Sequence, residues 1–305
     1  MTESTLGEND QVTARGLANL FIVYLVWGST YLAIRVAVRP GAGVPPFTLG
    51  FGRVLIAGLA LLLWGFLRKG VVKPTARELS VFAASGLLLW TGGGGMVAWA
   101  EQRLDSSFAA VLIATTPLWT VAMESILDRR KPPVKVWAAL LIGFAGTVVL
   151  SAPELTKDNS GDLLSIIMLI LASIAWSLGT LLQRRNPTQL PARVSAGYQM
   201  IFAAMGFVVL ILLAGEDLPR PTPEALFAWG YLIVFGSIIA FTAYVSIVRE
   251  LPTSLAMTYA YVNPVIAVLL GAWLLSEEVT VNTLIGGGLV VVGVVAVFQE
   301  KMPGR

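Results

Sequence analysis

The chain has 305 residues, of which 56% are hydrophobic and only 13% are charged, with a net charge of +3 and a mean hydropathy of +0.78. Soluble domains carry roughly a quarter charged residues, so this composition indicates that lipid surrounds most of the chain. Cysteine and histidine are absent, which excludes disulfides and the thiol- or imidazole-based catalytic and metal sites.

Hydropathy predicts an all-α membrane protein with ten transmembrane helices. A span needs roughly 20 mostly apolar residues, and short turn-rich stretches separate the candidates, leaving no room for a soluble domain. The ten segments are 16–38, 47–67, 78–99, 104–127, 134–152, 161–183, 193–214, 224–247, 253–275 and 281–299.

The basic residues predict the orientation. Most lysines and arginines fall on the side that holds Arg15 and Lys301, and few fall on the side that holds Arg39. Because cytoplasmic loops carry the excess of Lys and Arg, both termini are expected in the cytoplasm. The tails are then residues 1–15 and 300–305, and residues 153–160 form an external linker.

The second half of the chain repeats the first. At one offset, Leu104 matches Leu251 and Pro117 matches Pro264, and near the start of each half Trp27 matches Trp176. The predicted domains are a repeat over 16–152 and a second repeat over 161–299. Each has five spans, an odd number, so the second repeat should be inverted, with a shared cavity near the midplane.

The flanking charges agree with inversion. The fourth span is followed by the basic run Arg129-Arg130-Lys131, whereas the ninth is followed by Ser276-Glu277-Glu278. Arg35 also matches Arg184, so the correspondence extends to the end of the first span of each half.

Mid-span aromatic and polar residues are the candidates for lining that cavity. An indole offers a large apolar face and one N–H donor, although helix packing explains such residues equally well. The candidates are Trp27, Trp90, Thr116, Trp119, Trp176, Ser237, Tyr244, Tyr259 and Asn263.

Candidate hinges lie beside them. Pro117 and Pro264 each remove a backbone hydrogen bond, and Gly94 and Gly95 belong to a glycine run inside the third span. A kink satisfied by neighbouring hydroxyls, or close helix packing, is the alternative explanation. The run 286–288 in the tenth span is expected to serve packing.

Charge is expected to be missing from the cavity. No lysine or arginine is assigned to the midplane, and Glu124 is the one carboxylate clearly within a span. An uncharged pocket of this kind suits a small neutral or zwitterionic solute. Organic cations remain possible through the tryptophans. Glu124 is placed near the cytoplasmic end of its span, so no carboxylate or histidine is assigned to the midplane, and transport is expected to run without proton coupling.

Short stretches at matching places in the two halves resemble those of a known family. They are Trp27-Gly28-Ser29, Trp176-Ser177, Pro117–Leu127, Pro264–Trp273 and Ser276-Glu277-Glu278-Val279-Thr280. Through these residues the chain resembles the drug/metabolite transporter superfamily with paired EamA domains, and among its members the bacterial YddG-type exporters. The run Arg129-Arg130-Lys131 departs from the family, which has an acidic residue there.

The resemblance implies export of amino acids, including aromatic ones, across the bacterial inner membrane by alternating access. The alternatives are efflux of drugs and organic cations, a receptor or scaffold, and a membrane-embedded enzyme, for which the usual catalytic motifs are missing. Expected partners are a small-molecule substrate and the lipid bilayer, with no nucleic acid, no cofactor and no metal, for a monomer or weak oligomer.

Overall fold

The structure is a computed structural model that describes residues 12–68, 73–104, 106–150, 152, 163–275 and 280–301. Within these ranges all regular secondary structure is helical, which confirms the all-α prediction. The predicted linker 153–160, most of the N-terminal tail and the loop 276–278 lie outside them.

The helices are α1 (Ala14–Val38), α2 (Pro46–Leu67), α3 (Ala76–Gly86), π1 (Leu87–Gly94), α4 (Gly95–Ala100), α5 (Ser106–Ile113), α6 (Thr116–Asp128), α7 (Val134–Leu150), α8 (Leu163–Arg185), α9 (Ala192–Ala214), α10 (Pro223–Tyr231), π2 (Leu232–Ile239), α11 (Ala240–Glu250), α12 (Thr253–Ala256), α13 (Tyr259–Leu275) and α14 (Val281–Lys301).

Eight helical stretches of the described chain are long and apolar enough to cross a membrane, and α7 is a shorter apolar helix. Large apolar side chains point outwards along them, such as Leu213 at 79% exposure and Phe227 at 79%. Exposed apolar surface on this scale fits a lipid environment. Ten crossings, the inverted arrangement and the cytoplasmic termini remain predictions.

Two of the long stretches change from α- to π-helical geometry and back. One is α3–π1–α4, and the other is α10–π2–α11. A π segment widens the helix by one residue and re-aims the side chains that follow. In π2 the hydroxyl of Ser237 donates to the carbonyl of Leu232, five residues earlier, at 3.0 Å.

Two other stretches are interrupted, and the interruption precedes each proline. Pro117 lies in the first turn of α6, where the missing N–H costs no helical bond. The hydroxyl of Thr115 donates to the carbonyl of Leu112, and that of Thr116 to Ile113, both at 2.6 Å. Side chains therefore satisfy the carbonyls left free at this break.

The second interruption falls at residues 257–258, between α12 and α13, and Pro264 lies inside α13. A mid-helix proline is thus found in the second half of the chain, whereas in the first half the proline begins a new helix. The prediction that each proline removes a backbone hydrogen bond is therefore corrected for Pro117, which lies where a helix begins, whereas Pro264 lies inside a helix.

Candidate functional site

A pocket lies among α1, α2, π1, α4, α5, α6, α8 and α13. The cavity has a volume of about 90 Å³. The lining residues are Trp27, Thr30, Tyr31, Ile34, Arg53, Trp90, Gly93, Gly94, Val97, Ile113, Thr116, Ala172, Ser173, Trp176, Tyr259 and Asn263.

Most of the residues singled out from the sequence meet in this one pocket. They come from helices far apart in the chain, so it is the tertiary fold that brings them together. The singled-out residues that line the pocket are Trp27, Trp90, Gly94, Thr116, Trp176, Tyr259 and Asn263.

Trp119 lies outside the pocket. Its side chain is 37% exposed, and its indole N–H donates to Thr115 at 3.2 Å. The inward face of α6 is set by Thr116 and by Thr120, whose hydroxyl donates to Ser177 of α8 at 2.8 Å. Trp119 lies about 80° round the helix from the centre of this face, because a helix advances about 100° per residue.

Tyr244 and Ser237 lie outside the pocket, behind the residues that line it. Tyr244 is fully buried, and its ring centroid is 5.0 Å from that of Trp27. Its hydroxyl bonds to Thr180. Among the candidate hinges, Gly95 packs towards the ring of Phe207, and Pro117 and Pro264 also fall outside the lining.

Aromatic rings from both halves of the chain form one continuous wall. The centroid of Trp27 is 5.4 Å from that of Trp176 at an interplanar angle of 81°, and 5.0 Å from that of Tyr259 at 74°. Trp90 continues the wall at 6.5 Å from Trp176. Edge-to-face packing of this kind adds stability beyond the buried area. The indole N–H of Trp27 also donates to the carbonyl of Gly236 at 3.0 Å, joining α1 to π2.

Arg53 overturns the expectation of an uncharged pocket. Its residue exposure is 9%, and it lines the cavity. Its Nε donates to the hydroxyl of Ser237 at 2.6 Å, and its guanidinium carbon lies 4.7 Å from the ring centroid of Trp90. Arg53 is near the start of α2, so its place in the sequence predicts a position towards the membrane surface and not in the middle of the bilayer.

Several buried polar atoms at the pocket have no hydrogen-bond partner among the described residues. They are Nε1 of Trp90, Nε1 of Trp176 and Oδ1 of Asn263. Buried polar groups are normally paired, so unpaired ones beside a cavity need an explanation. Two free donors and one free acceptor suit a solute that carries both kinds of group.

Packed layers close the pocket on the side where α8 ends. The hydroxyl of Tyr24 bonds to Thr258 at 2.6 Å. Further out, Arg184 donates to the carbonyls of Val248 and Leu251, at 3.0 and 2.6 Å. A solute leaving or entering from this side would have to break these contacts.

The carboxylate of Glu124 ties α6 into the same layer. It accepts a hydrogen bond from the hydroxyl of Thr253 at 2.6 Å, and Nε of Arg184 lies 3.7 Å from it. Glu124 therefore stands at the end of the bundle and not at the pocket.

Glu101 is a buried carboxylate beyond the other side of the pocket. It follows α4, one turn after the pocket residue Val97, and is 0% exposed. Neither carboxylate oxygen has a hydrogen-bond partner among the described residues. Its backbone carbonyl accepts from Arg35. Burial raises the pKa of the Glu101 carboxyl well above its usual range, and the charge of Arg35 opposes part of this rise.

Sequence reasoning missed Thr30, Tyr31 and Ser173 as well as Arg53. Tyr31 lies one helical turn after Trp27, and Ser173 lies one turn before Trp176, so helical spacing from the predicted tryptophans would have found both. No comparable signal marks Arg53, because its partner Ser237 lies on a distant part of the chain.

Comparisons with known proteins agree with this architecture. The model of the EamA-like transporter family matches the chain twice, over residues 14–152 and 163–299. The uncharacterized inner membrane transporter YedA of Escherichia coli K12 is 37% identical over 285 residues, which are 92% of this chain and 90% of YedA. An uncharacterized transporter of Archaeoglobus fulgidus is 24% identical over 90% of this chain and 94% of its own length.

A solved crystal structure of a protein matches with a TM-score of 0.76 at 22% identity, covering 94% of this chain and 97% of that one. This likeness concerns the fold alone. The relatives' names state no substrate, so they do not support a YddG-type specificity. Because the family model covers most of the chain in two copies, this protein belongs to the EamA-like transporter family.

Proposed function

We propose that this protein is a secondary transporter that exports small neutral or zwitterionic metabolites, chiefly amino acids including aromatic ones, by alternating access. The supporting observation is the aromatic-walled pocket, which takes its residues from both regions that match the family model. In transporters built from repeats, the substrate site lies at the interface between the repeats.

The chemistry of the wall favours an apolar side chain on the solute. Trp27, Trp90 and Trp176 present rings, while Thr116 and Asn263 add polar atoms at the same cavity. Small-molecule sites typically combine apolar and aromatic walls with a few polar groups that fix orientation. An amino acid with an aromatic or aliphatic side chain fits this combination.

The closed layer at the end of α8 supports alternating access. If Arg184 lies on the cytoplasmic side, as the bias in basic residues predicts, the described conformation is closed towards the cytoplasm. An export cycle would then need these contacts to open for loading. We place the protein in the inner membrane because YedA is named as an inner membrane transporter.

Efflux of organic cations is the second candidate. The tryptophan faces favour it, because a cation is attracted to an aromatic ring. Arg53 opposes it, because a buried guanidinium repels a second positive charge in the same cavity. The amino-acid proposal therefore ranks first.

Proteoliposomes loaded with labelled amino acids test the proposal. We expect efflux above that of empty liposomes, a large loss with W176A, and little change with W119A, a matched tryptophan outside the pocket. Flux is measured with and without a pH gradient, which tests the expectation that transport runs without proton coupling. No flux for any amino acid tried would refute the proposal.

A further inference from the structure

Arg53 is a buried cation in the wall of the pocket. Within the described residues no carboxylate pairs with it, and Nε is its one hydrogen-bonding atom, donating to Ser237. A guanidinium has further N–H groups on both terminal nitrogens. In the described chain these groups have no acceptor, although Arg53 lines the pocket.

Such an arrangement is costly unless a ligand completes it. A buried charge needs a paired charge and hydrogen bonds to offset its lost hydration. We propose that the missing partner is a carboxylate on the transported solute, bound by the two terminal nitrogens of Arg53. This inference rests on the proposed transport function and narrows its substrate class to small carboxylates with an apolar body.

The guanidinium is held in place for such a partner. The hydroxyl hydrogen of Ser237 is used by the carbonyl of Leu232, so the oxygen is free to accept from Nε of Arg53. On another side, the guanidinium carbon lies 4.7 Å from the centroid of the Trp90 ring. A planar, fixed fork of N–H groups matches the two oxygens of a carboxylate.

Gly236 leaves room for this orientation. A Cβ atom added there would lie 2.8 Å from Nη2 of Arg53 and 3.1 Å from the side chain of Thr30. The terminal nitrogen would have to shift, while the charge itself would remain. Replacing this glycine therefore changes the position of the cation without removing it.

An acceptor lines the same cavity. Asn263 is 1% exposed, and its Oδ1 has no hydrogen-bond partner among the described residues. An ammonium group, or another donor on the solute, would satisfy it. Arg53 and Asn263 together suit a solute with an anionic end and a donor, with its apolar part against the tryptophans.

Binding to the purified full-length chain in detergent tests this, read by calorimetry and by the shift in melting temperature. The probes share one ring: L-phenylalanine, 3-phenylpropionate, which keeps the carboxylate, and L-phenylalaninamide and phenylethylamine, which lack it. We expect the carboxylates to bind roughly 10- to 100-fold tighter than the other two, the range for a hydrogen-bonded charge.

Three variants test whether Arg53 causes the preference for carboxylates. R53Q should remove the preference for carboxylates, and G236A should weaken it at unchanged charge. R39Q replaces an exposed arginine outside this pocket and should bind as the wild type does. Each variant is first melted without ligand to show that it folds, and the wild-type ranking of probes needs no variant at all.

The outcomes separate this inference from the proposed function. Equal binding of phenylalanine and phenylalaninamide, no binding of either carboxylate, or a folded R53Q that keeps the preference would overturn the carboxylate site. Binding of 3-phenylpropionate without binding or flux of amino acids would keep the carboxylate site and reject amino-acid export.

Discussion

The contact between α7 and α14 gives a sharp prediction, because these helices approach at backbone distance. A Cβ added to Gly286 would lie 2.4 Å from the backbone nitrogen of Leu150, and one added to Gly293 would lie 2.6 Å from that of Gly143. Backbone atoms cannot move aside as a flexible side chain can. Since ordinary contact begins at 3.4 Å, the helices would have to separate by about 1 Å.

Neighbouring glycines provide the matched controls. A Cβ at Gly287 or Gly288 would meet no atom within 4 Å. There, alanine should be neutral or slightly stabilising, by up to about 1 kcal/mol, because it forms helix better than glycine. At Gly286 the overpacked contact should cost about 1–3 kcal/mol. The expected difference between G286A and G287A is therefore about 1–4 kcal/mol.

Thermal unfolding of the four alanine variants in one detergent measures this difference. In soluble domains of 150–250 residues, 1 kcal/mol corresponds to about 2–4 °C. We expect G286A and G293A to melt several degrees below G287A and G288A. Equal losses of stability in G287A and G286A, or a melting temperature of G286A equal to that of the wild type, would refute this prediction.

Three further contrasts follow from single contacts. R184Q should lower the free energy of unfolding by about 1–3 kcal/mol, because two backbone carbonyls lose their donor. R185Q removes a surface ion pair, which contributes about 0–1 kcal/mol. Equal melting temperatures of the two variants would contradict this. W27F should destabilise more than W176F, since only the first removes an indole hydrogen bond found in the described chain; the reverse order in denaturant unfolding would count against it. E101Q should raise the melting temperature more at about pH 8 than at about pH 5. A buried carboxyl with a raised pKa makes the native protein less stable as the pH rises towards that pKa, and glutamine does not ionise. Parallel plots of melting temperature against pH for the wild type and the variant would disprove this.

The helical architecture could be read from the sequence because local signals specify it. Apolar runs bounded by charged, proline and glycine residues predicted segments whose ends lie within a few residues of the described helices, as for α9 (Ala192–Ala214) against 193–214. The two π segments could not be read in this way. In π1, a Cβ added to Gly93 would lie 2.7 Å from the ring of Trp176, a close approach made across the bundle that no local pattern marks.

The aromatic part of the pocket was predictable, and its charge was not. A tryptophan in the middle of a span has few roles other than packing or lining a cavity, so Trp27, Trp90 and Trp176 could be proposed from position alone. An arginine near a span end normally reaches for the interface. Arg53 turns inwards instead, where its Nε donates to Ser237 and its Nη2 lies against Gly236, which has no side chain to occupy that place.

The glycine run 286–288 also shows that the sequence does not reveal which side of a helix makes a contact. All three glycines were expected to serve packing, but of the three Gly286 alone contacts a neighbouring helix, while Gly287 and Gly288 face open space. Consecutive residues in a helix point about 100° apart, so a run of small residues cannot all serve one interface. The face that does serve it is set by α7, whose position the sequence does not reveal.

The correspondence between the halves extends to how helix ends are held. Arg35 donates to the carbonyl of Glu101 after α4, and Arg184, its match in the sequence, donates to the carbonyls of Val248 and Leu251 at the end of α11. Each arginine thus binds free carbonyls at the end of a helix that follows a π segment, where a cation is favoured by the helix dipole. If the halves are inverted, as the flanking charges predict, the two arginines hold opposite ends of the pathway, with the pocket of Arg53 between them.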